Sequence, residues 1–355
     1  MTEVQMEKLA AIAAPLLAWY ARDGRDLPWR RSVSPYAVWV SEIMLQQTRV
    51  AAVIPYYERF MRAFPTVRAL AAADDEQLMK LWEGLGYYSR ARNLKRAAVT
   101  IMESFGGEFP RAYEDVLSLC GVGEYTAGAI CSIAYGLPAP AVDGNLLRVA
   151  ARITGLFEDV TDAAVRRRVR EAFCEVIDRD APGAYNQALM DLGATVCVPN
   201  AAPHCARCPL AHICTAHAEG MEMRLPVKRE KRPRRAEERT VFLLVRDGKL
   251  ALRKRPPRGL LASLWEFPNV LGNLDENAAR LALAEMGLET CDLHRLPPAR
   301  HIFTHIEWDM QGYTARVTGD AEGLFWADAA ALDACAVPSA FSAYLSNAKS
   351  LLERE

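Results

Sequence analysis

Apolar side chains recur at three- and four-residue intervals through residues 6–20, 38–60, 70–82, 91–105, 125–135, 163–179 and 186–193. That repeat lays one apolar stripe along an α-helix, so this part of the chain is expected to be all-helical. Beyond residue 239 the period changes. Residues 240–246 and 249–255 read as strands, and the Asp247-Gly248 between them suits a two-residue hairpin turn, whose central positions both take positive φ. A helix over 276–286 and strands near 301–310 follow, which makes the second region mixed α/β.

The boundary is written in charge. Residues 224–239 carry Lys228, Arg229, Lys231, Arg232, Arg234 and Arg235 with Pro226 and Pro233. Such a segment has little to bury and reads as an extended linker. A chain of 355 residues exceeds one comfortable core. The expected class is therefore α+β in two domains: an all-α domain over 1–223, a basic linker over 224–239 and a smaller α/β domain over 240–355. Apolar residues make up 51% of the chain, enough to fill both cores, and the net charge is −1. Affinity for a polyanion must then come from local patches, for which Arg25, Arg30, Arg31, Arg90, Arg92, Lys95 and Arg96 are candidates. No apolar run approaches a membrane span and the N-terminus lacks a charged-then-apolar leader. A cytoplasmic protein with no membrane association is expected, which agrees with many unpaired cysteines.

Chemistry concentrates between Leu119 and Arg148. Gly121 and Gly123 in Leu119-Cys120-Gly121-Val122-Gly123-Glu124-Tyr125-Thr126 allow positive φ and close approach. The N–H groups opening the helix from Tyr125 can then point at a phosphate oxygen, a helix-hairpin-helix pattern spanning about 117–133. Downstream lies Asp143-Gly144-Asn145, and upstream Glu42 sits among Val38, Trp39, Val40, Ile43, Met44 and Leu45. An apolar setting disfavours the charged form of Glu42 and keeps a proton on it, whereas Asp143 beside Gly144 and Asn145 is expected to stay ionised. Two carboxyls in different settings can break a glycosidic bond, one protonating the leaving group and one facing the cationic sugar.

Cys197, Cys205, Cys208 and Cys214 are spaced Cys-x7-Cys-x2-Cys-x5-Cys. Thiolates so arranged hold tetrahedral zinc or an iron-sulfur cluster, and spacing alone does not choose. Cys120, Cys131, Cys174, Cys291 and Cys335 are scattered and read as small hydrophobes, and His204, His212 and His217 read as surface loop residues beside the cluster.

Several runs carry a family likeness: Leu27-Pro28-Trp29-Arg30, residues 41–48, residues 82–94, the hairpin, Val142-Asp143-Gly144-Asn145 and residues 185–193. In these the first 220 or so residues resemble the helix-hairpin-helix, iron-sulfur DNA glycosylases, and within them the MutY-type adenine DNA glycosylases. The resemblance implies a [4Fe-4S] cluster on the four cysteines. It implies that Glu42 protonates adenine at N7 and later helps activate water, that Asp143 stabilises or captures the oxocarbenium-like sugar, and that Tyr125 and Asn145 support them. Gln47 and Tyr87 match the residues that wedge into the base stack beside 8-oxoguanine, with Thr48 and Leu85 close to that base. The expected partner is double-stranded DNA with adenine opposite 8-oxoguanine or guanine, bound by a monomer that extrudes the adenine. In endonuclease III-like relatives a lysine that forms a Schiff base occupies the position of Tyr125. The expected enzyme is therefore monofunctional, leaving an abasic site without efficient strand nicking.

The second domain resembles the Nudix fold. A Nudix pyrophosphatase needs Arg-Glu-apolar-x-Glu-Glu-x-Gly-apolar to hold divalent metal. Aligned on Gly287, residues 280–288 read Arg-Leu-Ala-Leu-Ala-Glu-Met-Gly-Leu, with two of three acids absent. A recognition module is expected instead, reading 8-oxoguanine through Phe303-Thr304-His305, with Trp265-Glu266-Phe267-Pro268 also matching. The departures are Thr304 for the usual serine, one residue more in the first cysteine gap, and Cys120 for the hairpin's common proline. Two rival functions are a bifunctional oxidised-pyrimidine glycosylase, opposed by Tyr125 and the second domain, and a non-catalytic binder of damaged DNA.

Overall fold

A computed structural model describes residues 1–229, 233–319 and 321–353. Among these, two compact units form: residues 1–72 with 92–229, and residues 73–91 with 233–353. The expected helical domain of 1–223 thus differs in extent. Residues 73–91 pack with the C-terminal sheet, where Val337 N donates to Glu83 at 2.8 Å and Lys80 Nζ donates to the Cys335 carbonyl at 3.1 Å.

The first unit is helical. Its core joins Leu9, Ile12, Leu16 and Trp19 to Leu146, Val149, Val165, Phe173, Tyr185 and Leu189. Apart from Ile12, which caps the second of them, these come from the helices Glu3–Ala10, Ala13–Asp23, Gly144–Thr154, Ala163–Val176 and Pro182–Thr195. The helix Pro35–Leu45 is apolar on nearly every side and buried from Tyr36 to Met44; it packs against the helix Glu124–Tyr135. A helix apolar all round must be central.

Three expected helices are broken. Residues 6–20 divide after Ala10, and residues 70–82 divide where Asp74 accepts from Glu76 N and Gln77 N as an N-cap. Residues 38–60 divide into Pro35–Leu45 and Val50–Ala63, with Gln47 left-handed at φ 57. The apolar stripe continues across each break, so periodicity alone does not reveal it. The helices Tyr113–Ser118 and Gly144–Thr154 were not among those expected, although the second is strongly amphipathic.

The second unit contains one sheet of β1 (Arg235–Arg246), β2 (Lys249–Lys254), β3 (Trp265–Glu266), β4 (Asn269–Leu271), β5 (Leu288–Arg295), β6 (Ala299–Ile302), β7 (Ile306–Gly319) and β8 (Leu324–Ala327). The main path runs β3-β2-β1-β7-β5, with β1 and β7 parallel. Alternate β1 residues serve opposite faces: Val241, Leu243 and Val245 meet Trp308 and Phe341, whereas Phe242 and Leu244 meet Leu283 and Tyr313. Asp247 and Gly248 have φ 51 and 67, as the hairpin requires. β1 starts at Arg235, five residues before the expected Thr240, so the linker expected to reach Arg239 ends sooner. The charges there are met locally: Glu237 pairs with Arg235 and Arg239 and accepts from Trp308 Nε1 at 3.0 Å. Residues 230–232 of the linker, with Lys231 and Arg232, lie outside the described residues. The helix Glu276–Glu285 places Leu281 and Ala284 where the metal-binding box needs acids.

Candidate active site

One pocket in the helical unit brings together Glu42, Tyr125, Asp143 and Asn145, with Thr48, Trp29, Arg30 and Met190 also in its wall. Glu42 comes from the last turns of the central helix Pro35–Leu45 and is 4% exposed. Burial raises its pKa to about 7; the Tyr125 hydrogen bond opposes the rise, the Asp143 charge adds to it and Arg30 opposes it. Tyr125, on the first turn of the helix Glu124–Tyr135, donates to Glu42 Oε2 at 2.7 Å. Burial and both carboxylates raise the phenol well above its ordinary pKa, so it remains a neutral donor.

Asp143 is the N-cap of the helix Gly144–Thr154. Its Oδ1 accepts from Asn145 N at 2.9 Å and Leu146 N at 2.8 Å, and its Oδ2 accepts from Asn145 Nδ2 at 2.7 Å. Asp143, expected to stay ionised, is half-buried, and burial raises its pKa against these hydrogen bonds. The carboxylate still has three donors directed at it and sits at a helix N-terminus, both of which favour the anion. Gly193 admits this arrangement by close approach, since a Cβ there would lie 2.6 Å from Asn145 Cβ.

Arg148, buried one turn on, donates to Asn145 Oδ1 at 3.0 Å, to the Gly193 carbonyl at 2.7 Å and to the Cys197 carbonyl at 2.8 Å. It thereby ties the pocket to the cysteine loop. Cys197, Cys205, Cys208 and Cys214 line one small cavity. Four thiols around one cavity are the donor set of an iron-sulfur cluster, whereas the ligand atoms close enough together for a single ion, among the described residues, are those of Cys205, His217 and Glu222. Burial pushes the Cys208 thiol up to about 12, so its thiolate form requires a bound cation. Arg152 Nη1 lies 3.2 Å from Cys197 Sγ. His217 reaches the cavity edge but is engaged by Glu222 at 2.8 Å. The lengthened first gap turns at Asn200, φ 58, and returns so that His204 N donates to the Val196 carbonyl at 2.9 Å.

The hairpin forms between the helices Tyr113–Ser118 and Glu124–Tyr135. Gly121 has φ 81, and a Cβ there would meet Asn93 Cβ at 2.8 Å. Gly123 differs from expectation: it is extended, φ −105, because it is the N-cap, and a Cβ would point into open space. Its contribution is an uncovered approach to the amides behind it. Cys120 Sγ packs 3.4 Å from Asn93 Oδ1.

Gln47 and Thr48 occupy the break after the central helix. In the second unit Leu85 is buried, whereas Tyr87 is 44% exposed with φ 48. Arg90 Nη2 pins this turn, donating to the carbonyls of Leu85 and Gly86 at 3.1 Å. Phe303, Thr304 and His305 form the tip between β6 and β7, and Thr304 Oγ1 lies 2.5 Å from Tyr87 Oη.

The sequence did not reveal Asp191. It is fully buried, and it accepts from Arg25 N, Nε and Nη2 at 2.9, 2.8 and 2.5 Å and from Arg30 Nη1 and Nη2 at 2.8 and 2.9 Å. Arg25 and Arg30, expected on a phosphate patch, are instead committed to the pocket wall, and Arg31 pairs with Asp26.

Residues 40–174 match the HhH-GPD superfamily of base excision DNA repair proteins, and residues 240–347 match the NUDIX domain. The chain is 37% identical over 369 residues to the adenine DNA glycosylase of Rattus norvegicus, covering 88% of this chain and 71% of the relative. With that of Homo sapiens the identity is 36% over 372 residues, covering 88% and 68%. Among solved structures, a thermostable thymine-DNA glycosylase matches with a TM-score of 0.55 at 27% identity, covering 60% of this chain and 98% of that one. Identity sustained through both the helical and the sheet-bearing unit exceeds what a shared fold would leave, and the chain belongs to the adenine DNA glycosylase family, enzymes of base excision repair.

Proposed function

We propose that the protein is a monofunctional glycosylase that hydrolyses the N-glycosidic bond of adenine mispaired with 8-oxoguanine, and with guanine, in double-stranded DNA. The observation that carries this reading is the shared pocket of Glu42 and Asp143, with a phenol where a lyase would need an amine. An extruded adenine entering the pocket meets Glu42, whose Oε2 is taken by Tyr125, leaving Oε1 to deliver the proton to N7. As the C1′–N9 bond breaks, its electrons stay with adenine and positive charge grows on the sugar beside the Asp143 carboxylate. Water then adds to C1′ and returns a proton to Glu42, leaving adenine and an abasic site. Tyr125 cannot form a Schiff base, so the strand is left intact.

The four cysteines suit a [4Fe-4S] cluster, which when bound cross-links the loop through iron–thiolate bonds. Through Arg148 the same loop braces Asn145 and Asp143. The tip of Phe303, Thr304 and His305, with Phe303 packed on the core, the other two exposed and Thr304 joined to the wedge residue Tyr87, supports recognition of the oxidised base. Too few acids remain in the box over 280–288 for Nudix hydrolysis.

Single-turnover base release from duplexes carrying adenine opposite 8-oxoguanine, guanine and thymine tests the reading. Release from the first two, with strand breaks only after alkali, is expected. Adenine left untouched in every duplex, or breaks without alkali, would overturn it.

A further inference from the structure

Behind the base pocket lies a second groove in the same unit, and Tyr125 and Asp143 belong to the walls of both. Its far wall is the helix Ala163–Val176, which contributes Arg166, Arg167 and Arg170 at positions i, i+1 and i+4. Three guanidinium groups on one wall is a local concentration of positive charge in a chain whose net charge is −1. The counter-charges in the groove are Glu124, Glu171 and, on the wall shared with the base pocket, Asp143. Arg170 Nη2 lies 3.5 Å from Glu124 Oε1, offsetting the one acid on the first turn after the hairpin. Arg166 is anchored through Nε to the Val160 carbonyl at 3.1 Å. Arg167 is exposed, and its guanidinium has no partner among the described residues.

We infer that this arginine-lined groove holds backbone phosphates of the strand whose base occupies the pocket. The inference rests on the glycosylase reading for the position of the sugar. If a base fills the first pocket and its sugar stands at Asp143, the adjoining phosphates leave through the wall that the two cavities share. The hairpin amides after Gly123 and the arginines flank that exit, so the strand runs between a backbone grip and a guanidinium wall. Arginine suits this role because its planar fork binds phosphate oxygens in pairs. These contacts are blind to sequence and set the position of the strand rather than the choice of base.

Each phosphate neutralised contributes about 0.9 to the slope of log affinity against log salt. The test is binding of the full-length protein to a mispaired duplex from 50 to 200 mM salt. Arg167→Ala is expected to lower the slope by about one and so reduce its salt sensitivity over that range by about three- to fourfold. Arg167→Lys should restore the slope. Arg168→Ala removes an equal charge from the same helix, at a side chain paired with Glu158 and outside the groove wall, and should leave the slope unchanged. Native slope in Arg167→Ala, or an equal drop in both variants, would overturn the inference. A native protein that binds with the full slope yet releases no adenine would overturn the catalytic reading instead, leaving the phosphate assignment standing.

Discussion

Tyr125 donates to Glu42 across 83 residues of sequence, at 2.7 Å. One oxygen of the buried acid is thereby occupied, leaving the other to carry the proton. The bond also holds the pKa of Glu42 down against burial. Tyr125→Phe is expected to slow base release about ten- to a hundredfold, the range for losing a hydrogen bond to a charged group. It should also move the alkaline limb of the pH–rate profile upward. A slowed variant with an unmoved limb would separate Tyr125 from the proton donor.

Glu42 itself links both activity and stability to pH, and both fall as pH rises. As proton donor it must be protonated, so base release should fall as pH rises through about 7. Its folded pKa lies above the ordinary carboxyl value of 4.5, so the native state keeps a proton that the unfolded chain has lost. Stability therefore declines as pH rises from about 4.5 to about 7, and the buried anion costs on the order of 3 kcal/mol above that window. Glu42→Gln should abolish base release, retain DNA binding and raise the melting temperature more at pH 8 than at pH 5. Equal melting shifts at both pH values would contradict the assignment.

Asp143 has two roles that one substitution can divide. Asparagine caps a helix as well as aspartate does. Asp143→Asn should leave the melting temperature within about 2 °C of native while slowing base release by at least about a hundredfold, as loss of a charge-stabilising group does. A matching loss of stability would show that the cap, not the charge, dominates.

Arg148 links Asn145, Gly193 and Cys197 through one planar group. Lysine cannot serve all three acceptors in that geometry. Arg148→Lys is expected to destabilise the protein by about 2 kcal/mol through unsatisfied buried carbonyls. Iron content per chain and the rate of base release should fall together. Full iron content with a reduced rate would mean that the link runs only to Asn145.

Thr304 keeps the hydroxyl that meets Tyr87. Thr304→Ser should preserve preference for adenine opposite 8-oxoguanine over guanine, whereas Thr304→Val should lower it by about five- to tenfold, the value of one hydrogen bond. Competition between the two duplexes in one tube measures this directly.

How far these features were legible depended on whether the signal was local. The Asp247-Gly248 turn was, because its two positive φ values are a property of the dipeptide. The burial of Glu42 could be read from its apolar neighbours, and the four thiols from their spacing. Asp191 could not, since its partners Arg25 and Arg30 lie more than 160 residues away and polar contacts across a fold have no period. The same holds for Arg148, which looks like one more charged residue on an amphipathic helix. The break at Gln47 was hidden by apolar positions that keep helical spacing on both sides; only the polar run Gln46-Gln47-Thr48 hints at it.

Gln47 and Tyr87 are non-glycine residues held at positive φ, a conformation that costs side-chain-bearing residues of order 1 kcal/mol or more. Glycine, which takes positive φ without a Cβ penalty, would relieve that strain. On the proposed reading the same two changes would remove the side chains that probe the lesion, so a hardier enzyme is expected to arrive blind to its target.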